Sequence, residues 1–273
     1  MFAATTLRIL NDGDLRGGMI TLKVIARKVL PKQVIQAIRK VQAIRKVLAV
    51  DQSQAGETAL LMKLVKDFEC QKWIIDIGAH DGVTISNSLP FVKLGWRAIL
   101  IEPAPAVFKK LLANCGDRDN VTCLQIACSD KSGEADLYFG SDGENGFMST
   151  LCRSDNEWFS SARSSRSVKV KTDTITNILK RYQAPNRPGI LMVDCEGMDY
   201  EVLLGLDFGQ FRPTVIVTEE YEWEPGKHAA KYALLIRANY SLVQKVGSNT
   251  FWIDRSAKPR DRFGQYGLLQ GIF

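Results

Sequence analysis

The chain has 273 residues, 45% hydrophobic and 24% charged, with 21 glycines and 9 prolines, a composition that excludes collagen-like, disordered and disulfide-scaffold proteins. The net charge is +6, but residues 1–50 carry ten basic side chains against only Asp12 and Asp14, which leaves the remainder at −2. A protein gripping nucleic acid through its core would show a basic balance there, because phosphate contacts supply most non-specific affinity, so no nucleic-acid partner is expected.

A chain this long buries a full core without metal or disulfide staples, and the six cysteines form no C-x-x-C pair, which argues for reduced thiols rather than a zinc or redox motif. No run approaches ~18 apolar residues, so nothing reads as membrane-spanning. Leu7–Leu10 runs straight into the polar Asn11–Asp14, which does not suit a secretory signal. The expected compartment is the cytoplasm.

Residues 1–20 are polar and punctuated by glycine; they read as a leader, with Met19 as an alternative start. Pro31 opens a helical stretch to about Val50 that contains two tandem hexamers, Gln36–Val41 and Gln42–Val47, too few for a solenoid. Ile38, Val41, Ile44 and Leu48 fall at helical spacing, with Arg39, Lys40, Arg45 and Lys46 on the other surface. Such a helix either packs on the domain with its basic face in water, or rests residues 31–50 on an anionic membrane or a partner. Residues 1–56 are therefore a basic N-terminal arm.

From residue 57 helix and strand alternate. Helical spacing covers Glu57–Phe68, Ile85–Leu94, Ala104–Asn114, Asp173–Tyr182, Tyr200–Leu206 and Lys231–Ala238. Apolar runs predict strands at Trp73–Ile77, Ala98–Ile101, Thr122–Ile126, Ile190–Val193 and Thr214–Thr218, with Ser241–Gln244 and Thr250–Asp254 as a closing hairpin. Asp136–Phe139 and Val168–Lys171 bracket an irregular insertion at about 140–167, which includes Gly146-Phe147-Met148, Trp158-Phe159 and a Ser/Arg run over 160–167. Fully apolar strands alternating with helices make an α/β fold, a mostly parallel sheet covered on both faces, over 57–254. Residues 255–273 read as a tail.

In such sheets a ligand binds beyond the carboxyl ends of the strands. The first strand leads into Asp76-Ile77-Gly78-Ala79-His80-Asp81-Gly82, where Gly78 and Gly82 would let the backbone approach a ligand and Ala79 is too small to block it. This departs from the G-x-G-x-x-G dinucleotide fingerprint and lacks a Walker lysine. The second strand ends at Glu102, 24 residues after Gly78, where a carboxylate can accept from both ribose hydroxyls. An adenosine ligand without pyrophosphate suits S-adenosylmethionine. Its two cations would be complemented by Asp76, Glu102, Asp130 and Asp194, whereas that field would repel NAD.

These residues resemble the FkbM-type methyltransferases, a family of the class I S-adenosylmethionine-dependent fold. The landmarks are Asp76–Gly82, Ile101-Glu-Pro103, Asn120-Val121 leading to Ala127–Asp130, Gly146–Ser149, Val170–Asp173 and Val193–Gly197, within a resemblance from about Trp73 to Asp254. The resemblance implies a Rossmann-like seven-stranded sheet of order 3-2-1-4-5-7-6 with the last strand antiparallel. It further implies contacts to the methionine part from Asp76–Gly82, to ribose from Glu102 and to adenine near Ser129 and Asp130. His80 is then a polar turn residue near the cofactor rather than a general base.

Methyl transfer needs a nucleophile held about 3 Å from the methyl carbon, and a hydroxyl nucleophile must lose its proton. The candidates follow strands four and five: Asp194 or Glu196 first, then Glu220 and His228. Converging carboxylates could instead hold a divalent cation, which is not the expectation. The resemblance points to O-methylation of a hydroxyl on a sugar, glycan or glycosylated natural product. The alternatives are an N- or RNA methyltransferase, the latter disfavoured by the mildly acidic core and the absence of an Asn/Asp-Pro-Pro-Tyr/Phe motif, or a non-catalytic partner protein. Oligomeric state is not readable.

Overall fold

The computed structural model describes residues 53, 55–140, 143, 149–151, 166–220 and 225–260, all within the unit Val50–Phe273. In chain order the first half holds helix α1 (Glu57–Asp67), strand β1 (Gln71–Ile77), α2 (Leu89–Lys93), β2 (Arg97–Ile101), α3 (Pro105–Cys115), β3 (Val121–Leu124), β4 (Ala127–Cys128) and β5 (Gly133–Tyr138). The second half holds β6 (Ser167–Asp173), α4 (Ile175–Arg181), β7 (Pro188–Val193), α5 (Asp199–Leu204), β8 (Val215–Glu219), α6 (Pro225–Arg237), β9 (Tyr240–Val246) and β10 (Asn249–Asp254).

Seven strands form one sheet in the order β3-β2-β1-β7-β8-β10-β9. Every pair among the first five is parallel, and β10 runs antiparallel to both β8 and β9. Counted within this sheet alone, the order is the expected 3-2-1-4-5-7-6. The chain numbers at the end run higher because β4, β5 and β6 leave to build a second sheet of order β4-β6-β5. That second sheet is not among the expectations. It arises because β6 pairs with β5 over six positions and with β4 over two, closing a small core of Ala104, Val107, Ala127, Leu137, Phe139 and Val170.

Alternation along the central strands sorts their side chains onto two faces. Ile75, Ile77, Ile99, Ile101, Leu191, Val193 and Ile216 pack against Ile178 and Leu179 of α4, Val202 and Leu203 of α5 and Leu235 of α6. Ile74, Ala98, Leu100, Ile190, Met192, Val215 and Val217 pack against Leu61 and Leu64 of α1, Phe91 of α2 and Leu111 of α3. Because both faces are buried, these strands tolerate no polar residue until they reach the edge of the core. There Asp76, Glu102, Asp194 and Glu219 appear.

Two differences from expectation have local causes. The helix predicted over Ile85–Leu94 shrinks to α2, because Ile85 has φ 52° and the first free helical N–H, that of Leu89, goes to the Ser86 hydroxyl at 3.1 Å. The closing hairpin stands where expected, across Val246 and Asn249, and turns at Gly247-Ser248 with Gly247 at φ 59°. Residues 255–260 continue the domain instead of leaving it. Lys258 accepts from the Glu69 N–H at 2.8 Å, and Arg260 donates to Asp67 at 2.7 Å through its backbone and to Phe68 at 2.7 Å through its side chain.

The tandem hexamers, Gly146–Met148, Trp158-Phe159, Ser160–165 and the end of the chain lie outside the described residues. Among the described residues no helix is long and apolar enough to cross a membrane.

Candidate active site

A cavity of about 340 Å³ opens at the carboxyl ends of β1, β2, β7 and β8. Its floor is the β1 exit. The N–H groups of Gly78 and Ala79 both donate to the Ile101 carbonyl at 3.0 Å, and that of Asp194 donates to the Ile77 carbonyl at 3.0 Å. Gly78 has φ 86°, and a Cβ there would stand 1.8 Å from the Asp194 carbonyl oxygen. Glycine is therefore required by the approach of the β1 and β7 exits, and the residue also lines the cavity. Gly82 differs from expectation: its Cβ would lie 2.7 Å from Leu111 and 2.9 Å from the Cys115 sulfur, so it packs on α3 and is not among the residues that line the cavity.

Ala79 and His80 do line it. His80 has φ 49°, and its backbone N–H donates to Glu102 Oε2 at 3.1 Å. Its ring Nδ1 stands 3.6 Å from Asp81 Oδ1. Asp81 builds the turn rather than the cavity wall, accepting from the N–H groups of Val83 at 2.9 Å and Thr84 at 2.7 Å and from the Thr84 hydroxyl at 2.7 Å. Burial pushes its carboxyl up, but the bonds from Thr84 and Val83 together with nearby His80 outweigh it and hold the group below the usual range.

Glu102 stands at the end of β2, 7% exposed. Its second oxygen accepts from the Ala104 N–H at 2.9 Å, so two backbone donors orient the carboxylate while each oxygen keeps a lone pair for a ligand. Burial pushes its pKa to about 7 against these two hydrogen bonds. Burial likewise raises Asp76, with only Ser88 lowering it, to about 6. The wall next to Glu102 is Ile126, Ala127 and Cys128. Ser129 and Asp130, expected near adenine, do not line it: the Ser129 N–H donates to Asp173 at 3.1 Å, and its hydroxyl donates to Asp130 at 3.0 Å.

The opposite end gathers charge. Asp194, Glu196 and Glu219 present carboxylate oxygens within 4.8 Å of one another. Three carboxylates this close do not all ionise readily. The depth of Asp194 in the fold, then Glu219, Glu196 and Asp199 as like charges, push its carboxyl well above the ordinary range. Glu196 and Gly197 have φ 48° and 91°, and Thr150 from the insertion donates its hydroxyl to the Glu196 carbonyl at 2.7 Å. Such a trio can take up a proton or an oxygen-seeking cation. Among the described residues no further His, Cys, Asp or Glu joins it.

Two expected residues stand elsewhere. Glu220 pairs with Lys245 at 2.6 Å and accepts from the Tyr232 hydroxyl; burial raises its carboxyl, but Lys245, Tyr232 and His228 hold it below the usual range. Neighbours on a strand face opposite ways, so Glu219 reaches the cavity and Glu220 does not, a signal the sequence contained. His228 lines a separate hollow of about 20 Å³ beside Lys227 and Lys231. The sequence reading also passed over Asp199 and Lys231, which are 4% and 3% exposed.

Residues 76–244 match the methyltransferase FkbM domain, more than half of the chain. The protein belongs to this family of S-adenosylmethionine-dependent methyltransferases. No curated protein gives a significant match. Among solved structures it is similar to the methyltransferase FkbM from Methylobacillus flagellatus KT, at 14% identity over 80% of this chain with TM-score 0.42. The alignment spans only 60% of the length of that protein. It is also similar to an O-methyltransferase from Bacillus cereus solved in complex with SAH, at 12% identity over 86% of this chain and 97% of that one, TM-score 0.43.

Proposed function

We propose that the protein is an S-adenosylmethionine-dependent O-methyltransferase acting on a hydroxyl of a sugar, glycan or glycosylated natural product. The observation that carries the reading is the charge of the cavity. Asp76, Glu102, Asp194, Glu196 and Glu219 line it, and among its described lining residues there is no Lys or Arg. A low-dielectric hollow of that sign favours a ligand with ammonium and sulfonium cations and repels a pyrophosphate. Its volume falls in the range of small-ligand sites, roughly 300–1,000 Å³.

S-adenosylmethionine, when bound, supplies an electrophilic methyl group. Glu102, aimed by the His80 and Ala104 N–H groups, accepts the ribose hydroxyls. Ile126 and Ala127 offer an apolar wall to the base, and Asp76 with the Gly78-Ala79 edge faces the methionine part. At the other end Asp194, Glu196 and Glu219 receive the acceptor hydroxyl and its proton. A positioned base of this kind contributes about 10²–10⁴-fold, most effectively when its pKa lies near the working pH, and Asp194 is shifted in that direction.

Calorimetric titration with S-adenosylhomocysteine, with NAD and ATP as controls, tests the cofactor. Micromolar binding of the first alone is expected, and no binding would leave a non-catalytic relative. Methyl-labelled S-adenosylmethionine offered with hydroxylated and aminated acceptors tests the chemistry. Label in an alkali-stable ether supports O-methylation; label on nitrogen or on RNA replaces it.

A further inference from the structure

The parallel pairing of β7 with β8 ends at Val193 and Thr218, so Asp194, Glu196 and Glu219 stand just past the last contact between these two strands, although Glu219 is still paired on its other side with Asn249 of β10. One buried side chain takes over from the ladder. Asp199, at the start of α5, accepts the Cys195 N–H through Oδ1 at 3.0 Å and the Glu219 N–H through Oδ2 at 2.8 Å. Cys195 lies between Asp194 and Glu196, so Asp199 holds the backbone that carries all three cavity carboxylates.

Lys231 on α6 completes the device. Its ammonium lies 3.8 Å from Asp199 Oδ2 and donates to the Glu219 carbonyl. One turn earlier on the same helix face, Lys227 donates to the Gly197 carbonyl at 3.0 Å and pairs with Glu201 at 3.1 Å. Burying an ammonium against a carboxylate desolvates both, and well-packed apolar residues would hold α6 to the sheet at least as well. The pair therefore has another use. An ionised carboxylate accepts with both oxygens, whereas its protonated form gives up acceptor capacity to an O–H. Burial raises Asp199 to about 6, and Lys231 is the cation that opposes the shift.

We propose that Lys231 is a positioning residue for the acceptor end of the cavity, acting through Asp199 to hold the Cys195 and Glu219 backbones and so the spacing of Asp194, Glu196 and Glu219. The proposal rests on reading this cavity as the methyl-transfer site. The groups facing Asp194 are Glu219, Glu196 and Asp199, and those facing Lys231 are Asp199, Glu220, Glu219 and Asp194.

The test uses the full chain and needs no acceptor. Amide hydrogen exchange is followed by NMR in the unsubstituted protein and in Lys231→Met. Protection of the Cys195 and Glu219 amides is expected to fall by about tenfold or more, with that of Gly78, bonded to Ile101, unchanged. Carbon-13 carboxyl shifts should show Asp199 titrating at higher pH once the cation is gone, and Lys231→Arg, which keeps the charge, should return it toward the original position.

A plain packing role predicts a lower Tm with all three amides affected alike and the titration unmoved, and that result overturns the proposal. Should Lys231→Met fail to fold, the double variant Lys231→Met/Asp199→Asn leaves no buried charge unpaired. Its Asn oxygen serves one amide, so one of Cys195 and Glu219 should lose protection; full protection of both overturns the proposal. Failure of the unsubstituted protein to bind S-adenosylhomocysteine would instead overturn the cofactor reading, leaving the amide and carboxyl results to decide the positioning.

Discussion

At the end of the cavity proposed for the cofactor, the backbone does the holding: Gly78 and Ala79 donate to the Ile101 carbonyl, and Glu102 is aimed by two more N–H groups. At the end proposed for the acceptor the β7–β8 ladder has stopped, and Asp199, Lys231 and Thr150 do the same work with side chains. The difference separates two kinds of sensitivity. Disturbing the first end moves the sheet itself, whereas disturbing the second changes spacing and protonation within an intact fold.

The largest expected effect is that of Gly78→Val. With φ 86° and a Cβ 1.8 Å from a carbonyl oxygen, the substitution should destabilise the protein by more than about 3 kcal/mol, read as a collapse of Tm. An unchanged Tm with loss of S-adenosylhomocysteine binding would mean that Gly78 serves the ligand and not the strands.

Glu102→Ala comes next. It removes a charged acceptor from the ribose position and should weaken S-adenosylhomocysteine by roughly 1.5–3 kcal/mol in a calorimetric titration. Unchanged affinity would move the ribose elsewhere.

A smaller effect is carried by pH. Glu102 and Asp76 are raised in the fold, from 4.5 to about 7 and from 3.8 to about 6. The folded state therefore binds more protons than the unfolded chain between these values. Their contribution to stability is full below about pH 4 and is lost as pH rises through about 6 to 7. Melting of the ligand-free protein should show this decline, while affinity for S-adenosylmethionine rises several-fold over the same window as Glu102 ionises. In Glu102→Gln both slopes should flatten; slopes identical to those of the parent protein would assign the titration to another group.

The smallest effect is expected from Glu220→Gln. The pair with Lys245 is partly exposed on the lysine side, 48%, and such pairs contribute less than about 1 kcal/mol. Tm and S-adenosylhomocysteine affinity should scarcely change. If label transfer to an accepted substrate were abolished, Glu220 would regain the role proposed for Glu219.

The scaffold was largely legible because strands buried on both faces must be apolar throughout, and each announces its end with the first tolerated carboxylate. Asp76, Glu102 and Asp194 follow from that rule alone. Ser129 and Asp130 illustrate its limit: they follow Ala127-Cys128, but those two residues pair with β6 of the second sheet, and the pairing turns the next residues away from the cavity. Glu219 and Glu220 differ by one position, and strand alternation would have separated them once the strand's end was known.

What the sequence by itself determined is the order of the elements, the sheet they build and the acidic character of its carboxyl edge, because these depend on local periodicity and on burial. Only the tertiary structure decided why Gly78 must be glycine and that Asp199 and Lys231 hold the carboxylate end of the cavity. Each of those facts is a contact between segments that the chain brings together only on folding: Gly78 meets Asp194 across 116 positions of sequence, and Lys231 meets Asp199 from a different helix. No local pattern encodes such a distance.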